Sequence, residues 1–177
     1  MQTIALSSDK TTIKYISEIL LGTFLIALFA QIRIPLSPVA ITLQTVAIML
    51  IGYRLAPMQA LSSVILYIAL GYMGVPVFTN YTYGLGVLLG PNAGYIVGFI
   101  PAVVFLSYFR QKCSKHWLAL VGLGVAANAV VYLFGIGWLA HLTGLNKAVT
   151  YGLLPFIIPG IAKVLILVSL LKLSKSF

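Results

Sequence analysis

One lysine stands inside a long apolar stretch near the end of the chain. Lys163 has Ile161 and Ala162 before it and Val164 and Leu165 after it. A lysine at the centre of a membrane helix costs roughly 2.5–3.5 kcal/mol on insertion scales, so such a charge usually has a functional partner. We expect Lys163 to bind a solute that carries a carboxylate. The structural alternative is a side chain that snorkels to the outer membrane surface.

The chain itself contains few groups that could neutralise this lysine. Its 177 residues hold two acidic side chains, Asp9 and Glu18, against 11 Lys and Arg. This shortage argues against acid/base catalysis by paired carboxylates and against a proton relay built on Asp and Glu. One cysteine, Cys113, and two separated histidines offer no metal-ligand cluster. We therefore predict no metal, no cofactor and no enzyme activity.

Amide and hydroxyl side chains lie in two other apolar segments. Thr42 and Gln44 begin a short segment after a proline-containing loop, and Asn128 lies in a later, longer one. Each amide could hydrogen-bond a neighbouring helix, for a modest gain of about 1 kcal/mol. Each could also read an amide-like or ureido ligand. We favour the ligand for Gln44 and helix packing for Asn128.

An uncharged segment, residues 74–90, is rich in glycine and aromatic residues. Its glycines and proline argue against a regular helix. Phe78, Tyr81 and Tyr83 fit either an aromatic belt at the membrane surface or a lid over an outward-facing pocket. Gly94, just after this segment, suits a close approach of backbone to a ligand.

The composition indicates whether the elements that carry these residues lie in water or in lipid. Hydrophobic residues make up 61 % of the chain and charged residues 7 %, against about 25 % charged in soluble proteins. Because a span needs about 20 apolar residues, we predict one all-α integral membrane domain, residues 1–177, with six transmembrane helices. The predicted spans are 13–32, 40–52, 55–72, 92–109, 118–142 and 148–173.

The sixth predicted span is interrupted by prolines. Pro155 and the pair Pro159-Gly160 lie in its first half. A proline removes one backbone hydrogen bond and clashes with the preceding turn. Two interpretations remain open: a simple kink, or a broken helix that exposes backbone groups beside Lys163.

The basic residues predict the orientation in the membrane. Cytoplasmic loops carry the excess of Lys and Arg, and one side of the six-helix arrangement collects most of them. Both termini are then cytoplasmic, and the loop of residues 74–90 between the third and fourth helices is a long outer loop. The inner group is Lys10, Lys14, Arg54, Arg110, Lys112, Lys115, Lys172 and Lys175, and the outer group is Arg33 and Lys147.

Several motifs resemble those of the BioY biotin-transporter family. The main one begins Gly74-Val-Pro-Val-Phe78 and continues through Gly84-x-Gly86 to Leu89-Gly-Pro-Asn-Ala-Gly-Tyr95-x-x-Gly-Phe99. Pro38-Val-x-x-Thr-Leu-Gln44 resembles the second helix of that family, and Gly135-x-Gly-Trp-Leu139 resembles its fifth. Pro155-Phe156 followed by Lys163 resembles its sixth. The family usually has an aspartate where Gly160 stands, and some members have an arginine where Ile96 stands.

The resemblance implies a substrate-binding S component of an energy-coupling-factor ABC transporter in the bacterial cytoplasmic membrane. Such a subunit captures biotin, surrounded by membrane lipids, and docks on a transmembrane coupling subunit with two ATPase subunits. Docking in the family uses small residues of the first helix, which here gives a role to Thr23 and Ala27. The implied ligand-binding residues are Thr42, Gln44, Phe78, Tyr81, Thr82, Tyr83, Gly94, Tyr95, Asn128, Tyr132 and Lys163.

Three alternatives differ in class. One is an S component for another small anionic vitamin, and another is a structural membrane subunit without a ligand. The third is a membrane enzyme, which the missing carboxylates disfavour. Nucleic acid is not an expected partner, because the basic residues are scattered between apolar runs rather than clustered.

Overall fold

The computed structural model describes residues 2–113 and 116–174, with side chains from Thr11 onward. This part of the chain is mostly helical. Of the inner basic group, Lys115 and Lys175 and the side chain of Lys10 lie outside what is described. The elements in order are α1 (Gln2–Gln31), β1 (Arg33–Ile34), β2 (Ile41–Thr42), α2 (Gln44–Arg54), α3 (Pro57–Tyr72), a 3₁₀ turn (Thr79–Tyr81), α4 (Leu85–Leu88), α5 (Ala93–Cys113), α6 (Trp117–Thr143), α7 (Leu145–Gly152) and α8 (Leu154–Leu173).

Within residues 2–113 and 116–174, four stretches of helix are long and apolar enough to cross a membrane. They are Thr11–Gln31, Ala93–Cys113, Trp117–Thr143 and Leu145–Leu173. They correspond to the first, fourth, fifth and sixth predicted spans. The third predicted span is the shorter apolar helix α3, and the second is α2, which has 11 residues.

The second predicted span begins later than the sequence suggested. Residues 41–42 form a two-residue strand that pairs with residues 33–34, with Arg33 opposite Thr42. The helix starts only at Gln44. This small hairpin fixes the backbone of Thr42 directly before the first turn of α2.

The sixth predicted span is interrupted near Pro155 and not at Pro159. The helix breaks at Leu153, between α7 and α8, and Pro155 then stands in the first turn of α8, where a missing N–H costs little. At Pro159 the helix continues. Of the two interpretations of Pro159-Gly160, the broken helix is therefore wrong for this structure.

Residues 74–90 are irregular, as predicted. They contain only the 3₁₀ turn and α4. The amide N–H of Gly84 donates to Gly71 O at 2.7 Å, and Phe78 N–H donates to Thr82 O at 3.1 Å. The segment thus folds back over the end of α3 instead of extending into solvent.

Side-chain contacts define two ends of the helix bundle. At the end we call the cavity end, the indole N–H of Trp138 donates to Gly90 O at 2.9 Å, and Gln31 contacts Phe78. At the opposite end, Tyr53 Oη donates to Leu120 O at 2.6 Å. Ser107 Oγ donates there to the backbone oxygen of residue 55.

Large apolar side chains also lie on the outside of the bundle. Phe24 on α1 is 60 % exposed and Leu133 on α6 is 70 % exposed. An apolar surface of this kind is stable against lipid, whereas soluble monomers rarely carry large apolar patches. The exterior of the described part of the chain therefore fits a membrane protein.

Candidate functional site

A small cavity lies at the cavity end, between the helices and the 77–79 segment. Its volume is about 50 Å³, enough for a few water molecules. The first residues of α2, the middle of α3, the first turns of α5 and the inner faces of α6 and α8 enclose it. Six of the predicted ligand-binding residues line it: Thr42, Gln44, Phe78, Tyr95, Tyr132 and Lys163.

Lys163 reaches the cavity from α8 and contacts the start of α2. Its Nζ donates to the backbone oxygen of Thr42 at 2.6 Å and lies 3.4 Å from Thr45 Oγ1. An ammonium group has three donors, so these contacts leave one free to face the cavity. The described side chains include one carboxylate, that of Glu18. It hydrogen-bonds Gln59 near the opposite end of the bundle, away from Lys163. The charge of Lys163 is therefore compensated here by neutral oxygen atoms alone.

Gln44 is the centre of a second polar group on the cavity wall. Its Nε2 donates to Tyr67 Oη at 2.6 Å. Its Oε1 lies 3.2 Å from Thr42 Oγ1 and 3.4 Å from Thr79 Oγ1. Because the amide is held from both sides, its orientation is fixed before any ligand enters. Within the described residues the hydroxyl proton of Tyr67 meets no acceptor, so it can donate into the cavity.

Aromatic rings supply the remaining walls. Phe78 is 1 % exposed and packs edge-to-face on Tyr67, with ring centroids 5.4 Å apart. Tyr95 stacks on Phe156 at 6.0 Å. The hydroxyls of Tyr95 and Tyr132 donate to Gly152 O and Phe156 O at 2.8 and 3.0 Å. These two tyrosines therefore present ring surface to the cavity and keep their polar ends bound to α7 and α8.

Three predicted residues of the 74–90 segment lie away from the cavity wall. Tyr81 and Tyr83 are 68 % and 60 % exposed. Thr82 Oγ1 donates to Thr79 O at 2.9 Å within the turn. The turn points Phe78 inward and the two tyrosines outward, so the lid interpretation fits Phe78 and the surface interpretation fits the tyrosines.

Two predicted residues on the helices serve packing. Gly94 lies where α5 meets α6, and a Cβ there would come within 2.5 Å of Trp138 Cβ. Asn128 is buried and its Nδ2 donates to Gly160 O at 3.3 Å. Neither lines the cavity, and Asn128 makes the helix-to-helix bond that the sequence favoured for it.

The small residues predicted for partner docking face the inside of the bundle. Thr23 is buried, and its Oγ1 donates to Ser63 O on α3 at 3.0 Å. Ala27 packs against the core. In this structure the pair lets α1 and α3 approach each other, so Thr23 offers no surface to a partner.

Several cavity residues were not predicted. Tyr67 and Thr79 complete the polar group around Gln44, and Thr45 adds a hydroxyl beside Lys163. The signal for Thr45 was its place next to Gln44, whereas Tyr67 was one tyrosine among many in apolar segments. The other unpredicted residues are Val39, Ala40, Val87, Asn92, Ile96, Phe99, Val131 and Phe156.

The arrangement suits the binding of a small ligand. It combines a free ammonium donor, a fixed amide and an apolar aromatic enclosure. Within the described residues no group of three His, Cys, Asp or Glu side chains could hold a metal ion. A ligand with an anionic group at one end and hydrogen-bonding atoms on a compact apolar body matches these features.

Comparison with known proteins places the chain among membrane transporters. The profile of the BioY family matches residues 3–176. The chain is 37 % identical to the "Probable biotin transporter BioY" of Pyrococcus horikoshii, over 85 % of this chain and 89 % of the relative. It is 34 % identical to the "Probable biotin transporter BioY" of Rickettsia prowazekii, over 90 % and 82 %. The "Biotin transporter BioY" of Thermotoga maritima is 35 % identical, over 76 % and 80 %.

A solved structure shares the fold. It is described as the S-component for biotin from an ECF-type ABC transporter. The TM-score is 0.80 with 24 % sequence identity, over 95 % of this chain and 94 % of that chain. The chain therefore has the same overall fold as that S-component.

Proposed function

Because this chain belongs to the BioY family, we propose that it captures biotin for uptake across a membrane, as the substrate-specific subunit of an energy-coupling-factor ABC transporter. The relatives named as biotin transporters support the substrate. The observation that carries the proposal is Lys163, a cation on the cavity wall with no described carboxylate beside it. The subunit does no chemistry on its ligand and needs no cofactor.

Biotin is larger than the few water molecules that a cavity of about 50 Å³ admits, so we expect the cavity wall to move outward when biotin binds. Biotin then complements both polar groups of the cavity. Its carboxylate supplies the charge that Lys163 lacks, in a charge-assisted hydrogen bond. Its ureido ring has donors and an acceptor that match the fixed amide of Gln44 and the free hydroxyl proton of Tyr67. The rings of Phe78, Tyr95 and Tyr132 flank the fused rings of the ligand.

We propose that the chain crosses the membrane six times, with α7 and α8 forming the last crossing together. Arg54, Arg110 and Lys112 lie at the end opposite the cavity, on the last turns of α2 and α5. Arg33 and Lys147 lie at the cavity end. The positive-inside rule then makes the cavity end extracellular. With this orientation both termini are cytoplasmic. The transport role accords with a location in the cytoplasmic membrane of a bacterium.

We propose that the exposed apolar face of α1 docks on the transmembrane coupling subunit, which also carries two ATPase subunits. This face includes Leu20, Phe24 and Leu28, all exposed, whereas Thr23 and Ala27 turn toward the bundle. Packing of apolar side chains is what associates helices within lipid. Lipid covers the other exposed apolar faces of the bundle.

Two experiments test the proposal. Labelled biotin should bind the purified full-length chain in detergent, and unlabelled biotin should displace it better than the anionic vitamins pantothenate and lipoate. Cells that produce the chain should accumulate labelled biotin, with uptake compared in the presence and absence of the coupling and ATPase subunits. Preferential displacement by another vitamin would reassign the substrate, and an absence of any vitamin binding would overturn the proposal.

A further inference from the structure

The last residue of α1 holds the inner edge of the 74–90 segment in place. The side-chain nitrogen of Gln31 lies 3.1 Å from Phe78 O and 3.4 Å from Val77 O, and it also lies 3.2 Å from Ala27 O of its own helix. Its side-chain oxygen accepts the backbone N–H of Tyr81 at 3.0 Å. One amide thus bonds backbone groups on both sides of the turn.

The residues between those bonds form part of the cavity wall. Phe78 and Thr79 line the cavity, and Thr79 Oγ1 lies 3.4 Å from Gln44 Oε1. The next two residues, Asn80 and Tyr81, have φ angles of 63° and 56°. Residues other than glycine rarely adopt this left-handed conformation, so the turn needs contacts that hold it. Gln31 supplies the contact at Tyr81.

A second tether runs beside the first. Arg33 Nη2 donates to Asn80 Oδ1 at 2.8 Å. Arg33 also pairs with Thr42 across the hairpin, and the backbone oxygen of Thr42 accepts the bond from Lys163. The turn, the hairpin and the candidate carboxylate-binding lysine are therefore linked through the end of α1.

We propose that Gln31 is a positioning residue that holds Phe78 and Thr79 against the cavity and so limits how fast a bound ligand leaves. Gln31 itself does not line the cavity. It acts through the turn, and its removal speeds dissociation more than it changes association. The proposal rests on the proposed function, because the ligand is biotin.

If Gln31 only stabilised the fold, its loss would not change the rate at which the ligand dissociates. Gln59 provides the matched control. Gln59 also bonds through both ends of its amide, to the backbone N–H of Ala56 and to Glu18, near the opposite end of the bundle. Loss of either glutamine amide removes hydrogen bonds from both the nitrogen and the oxygen of the side chain. Only loss of Gln31 should affect the ligand.

The test compares full-length wild type with Gln31→Ala, Gln31→Glu and Gln59→Ala in lipid nanodiscs. Labelled biotin is bound, chased with unlabelled biotin, and the dissociation rate is measured. We expect both Gln31 variants to release biotin about tenfold faster, as loss of one or two hydrogen bonds to the turn allows, and Gln59→Ala to match wild type. The glutamate keeps an acceptor for Tyr81 N–H but turns a negative charge toward the oxygens of Val77 and Phe78.

Hydrogen exchange of the ligand-free chain gives a readout that needs no biotin. Amides of residues 77–83 should exchange faster in both Gln31 variants than in wild type and in Gln59→Ala. If wild type binds biotin but folded Gln31 variants release it within twofold of the wild-type rate, this inference fails and the proposed function stands. If wild type binds no biotin, the proposed function fails, and unchanged exchange at 77–83 would remove the positioning role as well.

Discussion

The ammonium nitrogen of Lys163 and the backbone oxygen of Thr42 lie 2.6 Å apart although the two residues are 121 positions apart in the chain. This bond ties α8 to the hairpin before α2. A neutral carbonyl oxygen lowers the cost of the charge but does not cancel it, so an incoming carboxylate still gains a charge-assisted hydrogen bond there. The lysine is thus held in position before the ligand arrives.

Lys163→Ala should weaken biotin binding by at least about 1.5 kcal/mol, the low end for a hydrogen bond to a charged group. The variant removes the cation that we assign to the ligand carboxylate. Isothermal titration calorimetry of the full chain in detergent measures the change directly. Lys147→Ala is the control, because Lys147 is exposed at the same end of the bundle and does not line the cavity. Equal affinities of the two variants would remove the assigned role of Lys163.

The sequence located Lys163 and Gln44 because each is a polar group in an apolar run, where a polar side chain needs a partner. It could not decide which aromatic residues of the 74–90 segment face inward. That choice depends on the turn at Asn80, which Gln31 and Arg33 hold from another helix. A local pattern contains no information about contacts between residues about 50 positions apart.

The same limit applies to the helices. The sequence leaves two interpretations of Asn128 open, and its bond to the oxygen of Gly160 on α8 supports helix packing. Thr23 belongs to a small-residue pair, which predicts close helix approach, but the pattern does not say whether the neighbour is another protein or α3 of the same chain. The fold class followed from composition, because few arrangements other than membrane helices satisfy such an apolar chain.

Tyr67→Phe should reduce biotin affinity by about 0.5–1.5 kcal/mol, the net value of one hydrogen bond. The change deletes the hydroxyl that accepts from Gln44 and keeps the ring that packs on Phe78. Equilibrium binding of labelled biotin measures the effect. Tyr72→Phe on the same helix is the control, since Tyr72 is exposed and away from the cavity. A Tyr67→Phe chain with wild-type affinity would show that the hydroxyl does not contact the ligand.

Phe24→Ala should impair assembly with the coupling subunit while leaving biotin binding by the isolated chain unchanged. Phe24 is 60 % exposed on α1, on the face that we propose for docking. Loss of its ring removes apolar packing from a helix interface within lipid. Co-purification with the coupling and ATPase subunits and biotin uptake should both fall severalfold. Leu133→Ala on α6, where the side chain is 70 % exposed, should behave as wild type, and an equal defect there would argue against a docking face on α1.

Gly160→Ala should destabilise the ligand-free chain by about 1–3 kcal/mol, the usual cost of overpacking. An added Cβ would overlap the hydroxyl of Tyr132, which donates to Phe156 O one turn earlier on α8. Thermal unfolding in detergent measures the loss. Gly122→Ala is the matched control and should not destabilise the chain. Nothing lies within 4 Å of its Cβ position, and alanine is more favourable than glycine in a helix by about 0.8–1.0 kcal/mol.

The double variant Gly160→Ala with Tyr132→Phe identifies the cause of the loss. Tyr132→Phe alone costs about 0.5–1.5 kcal/mol, because it gives up the bond to α8. It also removes the atom that the new methyl group would strike. The two substituted side chains contact each other, so their effects on stability should not add. The double variant should lose less stability than the two single variants lose together. Additive losses would show that the destabilisation by Gly160→Ala arises elsewhere than at the Tyr132 hydroxyl.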